Sequence, residues 1–521
     1  MTEQKKGVVY YSEFGAKGDG VTDDFAAIIK CHEYANEHGC KVMADNGATY
    51  YIGDNGNVKA IVKTDVDWGN ATFIIDDSII PPESPARTAH IFFVERDYPK
   101  KVYDQDSDVV KMMNAHCPIK ALSGGNIGYA PGYPALLIVY NDNHSAYIRW
   151  GCHATGKPNP QRELVTVDKD GNINAKTDLL LDYEAVTKVE EFRTDDAPIT
   201  IEGGKFITWA NAAPPVYTAY SRAIDVSRSN VTIKNVVHTI EKETETGAPY
   251  SGFIAFHCMD NLLCENLTLS SHKSYRDYKP DGTVHSIMGS YDIGGGFGTN
   301  VTFLNCTQCN FWKDEEKKIA YSERERWGIM GTNYCKNLSY IGCTLSRLDA
   351  HAGVFNVTVK DTTISYIKLT GGGTAVIENC KIIAPEATNF PVAELRCDYG
   401  STWNGEILVK DVEYFNLGKD YAVGLISASW NNWNFGYVTH LPRVTFDNLK
   451  IMDPSEKVFC FTRLCGDYNV KIDQPVLDNG EVNLNPMDVE TTVTFKNDHG
   501  YNVFGTPNTY VNEKITIKRN A

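Results

Sequence analysis

The sequence predicts an all-β solenoid, a chain wound into coils whose short parallel strands stack on one another. Two observations carry this. At 521 residues the chain is too long for a single compact core. The second is a phrase, Asn–apolar–x–apolar–x–small polar, that recurs as NVTIKNVV from Asn230, NLLCENLT from Asn261, NVTFLNCT from Asn300, NLSYIGCT from Asn337 and NVTVKDTT from Asn356. Looser copies follow as TAVIENCK, EILVKDVE and RVTFDNLK. Each copy sets alternate apolar residues on one face of a short strand and places a small polar residue where the chain must bend. The uneven spacing between copies suits coils that carry loops of different length. A sandwich of hairpins would instead need Asn-Gly or Asp-Gly turns between alternating strands, and few are so placed.

Taken in chain order, the first element is the stretch FGAKGDGVTDD at residues 14–24. Gly15, Gly18 and Gly20 allow a tight loop, Asp23 or Asp24 can cap a helix, and Phe25, Ile28, Ile29 and Ala35 fall at helical spacing. These aspartates read as turn and cap builders, and no chemistry is assigned to them. Together with the later phrase VMADNGATYYI, the stretch resembles the amino-terminal signature of the pectate-lyase-like superfamily of right-handed parallel β-helix proteins. The later column of residues described below looks like an uncharacterised gut-bacterial branch of it. The resemblance implies a right-handed, single-stranded parallel β-helix whose first coil is capped by the helix. It also implies a carbohydrate-active protein, since the superfamily holds glycoside hydrolases, lyases, epimerases and phage tailspikes.

The domain reading follows. Residues 1–75 form the cap and first coils. Residues 76–198 form an inserted β-rich subdomain, with Asp-Gly in VTVDKDGNINAKTD marking a hairpin. Residues 199–470 form the β-helix with its cleft, and residues 471–521 form a cap over the last open strand edge.

Composition narrows the partners. Asp and Glu exceed Lys and Arg by 66 to 50, a formal charge of -16, which argues against nucleic acid or an anionic membrane as the main partner and better fits a neutral or locally accommodated substrate. The resemblance implies that this substrate is an oligosaccharide or polysaccharide. No stretch approaches the ~18 apolar residues of a membrane span, and no export signal is visible. A cytoplasmic protein is expected, or a secreted one if a leader has been removed; a homo-oligomer stays open. The 14 cysteines sit singly in apolar runs without paired CxxC motifs, so they are expected to be reduced core thiols rather than zinc ligands. No cofactor and no metal are expected, although a calcium requirement is left open.

Equivalent positions of successive coils stack in a column, and the segments that follow the strand phrases are rich in chemistry. They place Lys273, Tyr275, Tyr291, Asp292, Arg326, Trp327, Arg347, Asp349, His351, Glu394, Arg396, Asp398 and Trp430 along one side, a candidate cleft. Residues two apart on a strand share a face, so Arg347, Asp349 and His351 are expected to converge. Asp349 and His351 with Asp292 are the expected catalytic groups, because paired carboxylates flanking a bond are what glycoside hydrolysis needs. Asp349, desolvated near a second carboxylate, is expected to have a raised pKa suited to a general acid. Asp398 and Glu394 are alternatives for the second carboxylate. Trp327, Trp403, Trp430 and Trp433, set among polar residues, are expected to offer platforms for sugar rings, and Lys273 with Tyr275 to bind substrate. His257 reads as a buried histidine, and Glu323 and Glu325 as part of a solvated loop.

Three functions remain in view. A glycoside hydrolase is favoured. A polysaccharide lyase would use Tyr291, His351 or Lys273 as base and Arg347 or Arg396 to hold a uronate. A tailspike-like binder without catalysis is the third. Polygalacturonase-type hydrolases of the superfamily carry the phrases NTD, DD, GHG and RIK, which are not found here in order.

Overall fold

A computed structural model of the chain describes residues 7–147, 159–194, 197–214, 219–244, 246–269, 275–278, 284–308, 328–384, 390–416, 423–428, 438–452, 457–462, 487–488, 490–505 and 513–520. The chain forms two compact units. The first comprises 1–99, 194–331 and 343–346; the second comprises 100–193, 332–342 and 347–521.

In the first unit, parallel ladders climb from coil to coil. One runs through Val8–Tyr10, Lys41–Met43, Val66–Asp76, Ile199–Trp209, Val231–Lys234, Ser251–Glu265 and Tyr291–Leu304. Another joins Thr49–Ile52 to Val66–Asp76, Ile199–Trp209 and Val237–Glu241. A third joins Ala60–Val62, Phe92–Val94, Ile224–Val226 and Ser251–Glu265. The second unit repeats the pattern through Lys336–Ile341, Val354–Lys360, Gly371–Glu378, Trp403–Asn416, Arg443–Met452, Thr491–Lys496 and Ile515–Arg519. This is a right-handed parallel β-helix.

The recurring phrase now has a physical meaning. Its apolar positions, such as Val231 with Ile233 and Val357 with Val359, are buried inside the coils. Its asparagines take the left-handed conformation that turns the corner, with φ of 59° at Asn230, 65° at Asn261, 53° at Asn300 and 59° at Asn337 and Asn356. Their side chains stack as well. Asn261 Nδ2 donates to Asn230 Oδ1 at 2.8 Å in the first unit, and Asn356 Nδ2 to Asn337 Oδ1 at 3.0 Å in the second. Asparagine is therefore selected twice at these corners, for its backbone and for its ladder.

The expected capping helix spans Phe25–His38 and ends on Gly39 at φ 68°. It buries Phe25, Ile28, Cys31, His32 and Ala35. The aspartates build the loop as read from sequence. Asp24 accepts from the amides of Lys17 and Gly18 at 2.6 and 3.0 Å, and Asp23 accepts from Phe25 N at 3.0 Å. Beneath the helix, Tyr11, Trp68, Phe73, Phe92 and Phe206 interlock, with Phe73 and Phe206 stacked at 4.8 Å.

Residues 76–100, assigned from sequence to the insertion, include the coil strand Phe92–Val94. The insertion proper is an antiparallel sheet of Asn159–Val167, Ala135–Tyr147, Lys188–Arg193 and Lys101–Tyr103, in that order. Its own core gathers Val110, Met113, Leu137, Val139, Val165 and Leu179. The Asp-Gly hairpin is present, with Val167 bridging Ile173 antiparallel and Gly171 at φ 84°. Beyond residue 470, where a separate cap is expected, the strands Thr491–Lys496 and Ile515–Arg519 continue the parallel ladder of the second unit.

Candidate functional site

The strand Thr344–Ala350 carries Arg347 and Asp349, and His351 follows it. As the alternation predicts, the three converge: Arg347 Nη2 donates to Asp349, and His351 Nε2 lies 3.7 Å from Asp349 Oδ2. The strand Thr363–Leu369 adds Tyr366 and Lys368, and Ala393–Leu395 adds Glu394 as the ladder partner of Lys368. Lys368 Nζ meets Glu394 Oε1 at 2.9 Å, and the Tyr366 hydroxyl donates to Glu394 Oε2.

Arg396 is the hub. Its Nη1 donates to both Asp349 oxygens at 2.7 and 2.8 Å, while Nε and Nη2 grip Asp398 at 2.9 and 2.8 Å. The result is three cations, Arg347, Lys368 and Arg396, interleaved with three carboxylates, Asp349, Glu394 and Asp398. The formal sum of these six charges is zero.

The electrostatics correct one expectation. Burial would raise the Asp349 carboxyl, but Arg347 and Arg396 outweigh it and hold the pKa well below the usual carboxylate range. The raised value lies instead at Asp292, where burial pushes the pKa to about 7 and the hydrogen bond from Gln308 opposes it. Burial also drives His351 down to about 3, despite the pull of Asp349, so its imidazole is neutral. Burial and the neighbouring Glu394 carboxylate push Tyr366 well above its ordinary range, which keeps its hydroxyl a donor.

Asp292 belongs to the first unit, where its surroundings form a closed network. Gln308 Nε2 donates to Asp292 Oδ2 at 2.5 Å, Ser346 donates to Gln308 Oε1 from N and Oγ at 2.7 and 3.0 Å, and Ser346 Oγ donates to Gly328 O at 2.5 Å. A Cβ on Gly328 would stand 1.7 Å from Asp292 Oδ2, so only glycine fits against this carboxyl.

Other sequence-predicted residues divide. Tyr291 is half-buried at the start of its strand in the first unit. Lys273, Arg326, Trp327, Trp430, Trp433, Glu323 and Glu325 lie outside the described residues, as does the side chain of Tyr275. Trp403 is no sugar platform: it is 0% exposed, and its Nε1 faces the carbonyls of Gly373 and Glu406, at 3.2 Å each. Of its polar sequence neighbours only Asn404 is exposed; Ser401 and Thr402 are buried with it. His257, read as buried, is half-exposed and stands 3.7 Å from Asp225. Lys368 and Tyr366 were missed. They alternate in SYIKL with inward aliphatics, a pattern that a strand without any role shares. Among the described residues no group of His, Cys, Asp and Glu is arranged to hold a metal ion, and no helix is long and apolar enough to cross a membrane.

No family model and no curated protein matches the chain. Among solved structures, the tailspike gp61 of Pseudomonas phage phi297 superposes with a TM-score of 0.52 at 12% identity, over 99% of this chain and 84% of that one. The tailspike gp49 from Pseudomonas phage LKA1 also gives a TM-score of 0.52 at 12% identity, over 98% and 84%. At such identity the likeness is one of fold, and in fold this chain is similar to the tailspikes.

Proposed function

We propose that the chain is a carbohydrate-active enzyme, a glycoside hydrolase acting on a neutral glycan, with Glu394 and Asp398 as its two working carboxylates. The observation that carries this is the charge-balanced cluster on successive coils of the second unit. A carboxylate that meets substrate must be reachable. Glu394 and Asp398 each keep 19% of their side-chain surface exposed, against 0% for Asp349. Asp398, gripped at two points by a guanidinium, suits the ionised base or nucleophile, and Glu394, reachable on the same segment, is the second carboxylate that glycoside hydrolysis needs. Asp349 is then a positioning residue: it fixes Arg347 and Arg396.

The balance of charge also favours hydrolysis over elimination. A lyase needs a cation free to hold a uronate carboxylate, whereas all three nitrogens of Arg396 already donate to Asp349 or Asp398. The fold likeness to tailspikes and the sequence resemblance to the pectate-lyase-like superfamily support a glycan as substrate.

Turnover of a panel of neutral oligosaccharides tests the reading. Asp398→Asn and Glu394→Gln should each lower kcat by roughly a hundredfold or more while binding survives. Turnover at the wild-type rate in both variants overturns the assignment, and ultraviolet-absorbing unsaturated products would replace hydrolysis with elimination.

A further inference from the structure

The second unit contains a cavity of about 810 Å³ that belongs to neither the charged cluster nor the coil interior. The insertion supplies one wall, with Asn141, Gln161 and Arg162, and the coils supply the other, with Tyr334, Phe355 and Asn404. Glycines keep the coil wall bare. A Cβ on Gly353, at φ 58°, would stand 2.7 Å from the Tyr334 ring, and one on Gly371 would stand 1.9 Å from Val354 O.

The polar groups indicate what the space would hold. Asn141 and Gln161 are only 5% and 4% exposed. Asn141 Oδ1 accepts from Asn143 N at 3.2 Å, and Gln161 Nε2 donates to Asp182 O at 2.8 Å. Among the described residues, no hydrogen bond reaches Asn141 Nδ2 or Gln161 Oε1, and neither atom is sealed from the cavity. One is a donor and the other an acceptor, a pair that hydroxyl groups satisfy because each can do both. An amide left half-satisfied in so buried a place is destabilising, and a ligand's hydroxyls would complete it.

The charged residues of the lining are already engaged. The Arg162 guanidinium lies over the Tyr334 ring at 3.9 Å, and Asp182 and Glu184 hold Lys120 at 2.9 and 3.2 Å. Among the described residues, the lining thus offers its guanidinium to a ring and its carboxylates to a lysine, an arrangement suited to a neutral sugar better than to an acidic one. Its volume falls in the upper part of the ~300–1,000 Å³ range of small-molecule sites. The coils that line it are those of the cluster: Ala352 follows His351 directly, and Thr370 and Thr402 come shortly after Lys368 and Asp398 on their own coils.

We propose that this cavity binds several rings of a neutral, unsubstituted oligosaccharide, which makes the insertion the wall that sets substrate specificity. The inference rests on the reading that Glu394 and Asp398 act on that glycan. Its test uses the full chain and calorimetric titration with neutral gluco-, galacto- and manno-oligosaccharides and with oligouronates. Binding of a neutral member and no binding of oligouronates is expected. Asn141→Ala and Gln161→Ala should weaken that binding at least tenfold and raise KM with little change in kcat. Asn404→Trp, a change at the exposed rim that leaves the core alone, should block the cavity and do the same. Wild-type affinity in all three variants, a preference for oligouronates, or no neutral ligand at all overturns the proposal. The two readings fail separately. A glycan bound through Asn141 and Gln161 but never cleaved removes the hydrolase and keeps the cavity; cleavage with an unchanged KM in the three variants does the reverse.

Discussion

Asp292 and Asp349 are both buried carboxyls, yet they titrate in opposite directions, because one faces an amide and the other faces two guanidinium groups. Asp292 ordinarily loses its proton near 3.8 and in the folded chain near 7. Between those values the folded state holds a proton that the unfolded state has released, so this group lowers stability as pH rises through that window. Below it there is no effect, and above it the full cost persists. Asn keeps an acceptor for Gln308 without the charge. Thermal melts of Asp292→Asn should therefore show a gain over wild type that is absent near the lower value and levels off above the upper one, at no more than about 4 kcal/mol. A gain that does not change with pH would contradict the assignment. Asp349→Asn should act the other way and destabilise at neutral pH, because Arg347 and Arg396 lose their shared anion inside the protein. The convergence of Arg347, Asp349 and His351 could be read from residue spacing alone. Which carboxyl is reachable could not, because exposure depends on how Lys368, Glu394 and Arg396 stack from other coils.

The element that joins insertion to coil is short. Lys336 opens the strand Lys336–Ile341, and its Nζ donates to Glu163 Oε1 at 2.5 Å and to the carbonyls of Leu164, Thr177 and Asp178 at 2.6, 3.2 and 2.8 Å. Burial pushes Lys336 down and Glu163 up, and each opposes that shift in the other. Removing one partner leaves the other charge buried, so Lys336→Ala should cost about 3–5 kcal/mol in chemical denaturation. Lys336→Met combined with Glu163→Leu should recover much of that loss; an additive pair of losses would show that the two do not act as a unit. In sequence Lys336 reads as an ordinary polar residue before the phrase NLSYIG. The phrase itself was readable because left-handed corners and inward apolar positions are local demands. The meeting of Lys336 with Glu163, like that of Asn141 and Gln161 with Tyr334, depends on where a distant sheet docks, which no local pattern encodes.

Within each unit, the coils behave as a one-dimensional stack in which the ladder strands bond to the ones before and after them. The apolar filling includes most of the cysteines, and all 11 of those described are free thiols. Titration of the denatured, unreduced protein with a thiol reagent should find most of the 14 cysteines reactive; several disulfides would contradict this. Burial lifts thiols such as Cys31, to about 12, far from reactive ionisation. The same stacking explains why the fold could be read from sequence while the boundaries could not. Phe92–Val94 looks like any short strand until its neighbour Ile224–Val226 is found far downstream.

That pairing bears on how such a chain can change through descent. The ladder of the first unit joins Val66–Asp76 to Ile199–Trp209 and Phe92–Val94 to Ile224–Val226, so its register passes over residues 101–193 without using them. A recombination event that exchanged this cassette would leave those rungs intact. The exception is inherited with Lys336: any replacement must bring an acid to the place of Glu163, or the host coil carries a stranded ammonium. One lysine thus acts as a compatibility test on the modules this solenoid can adopt.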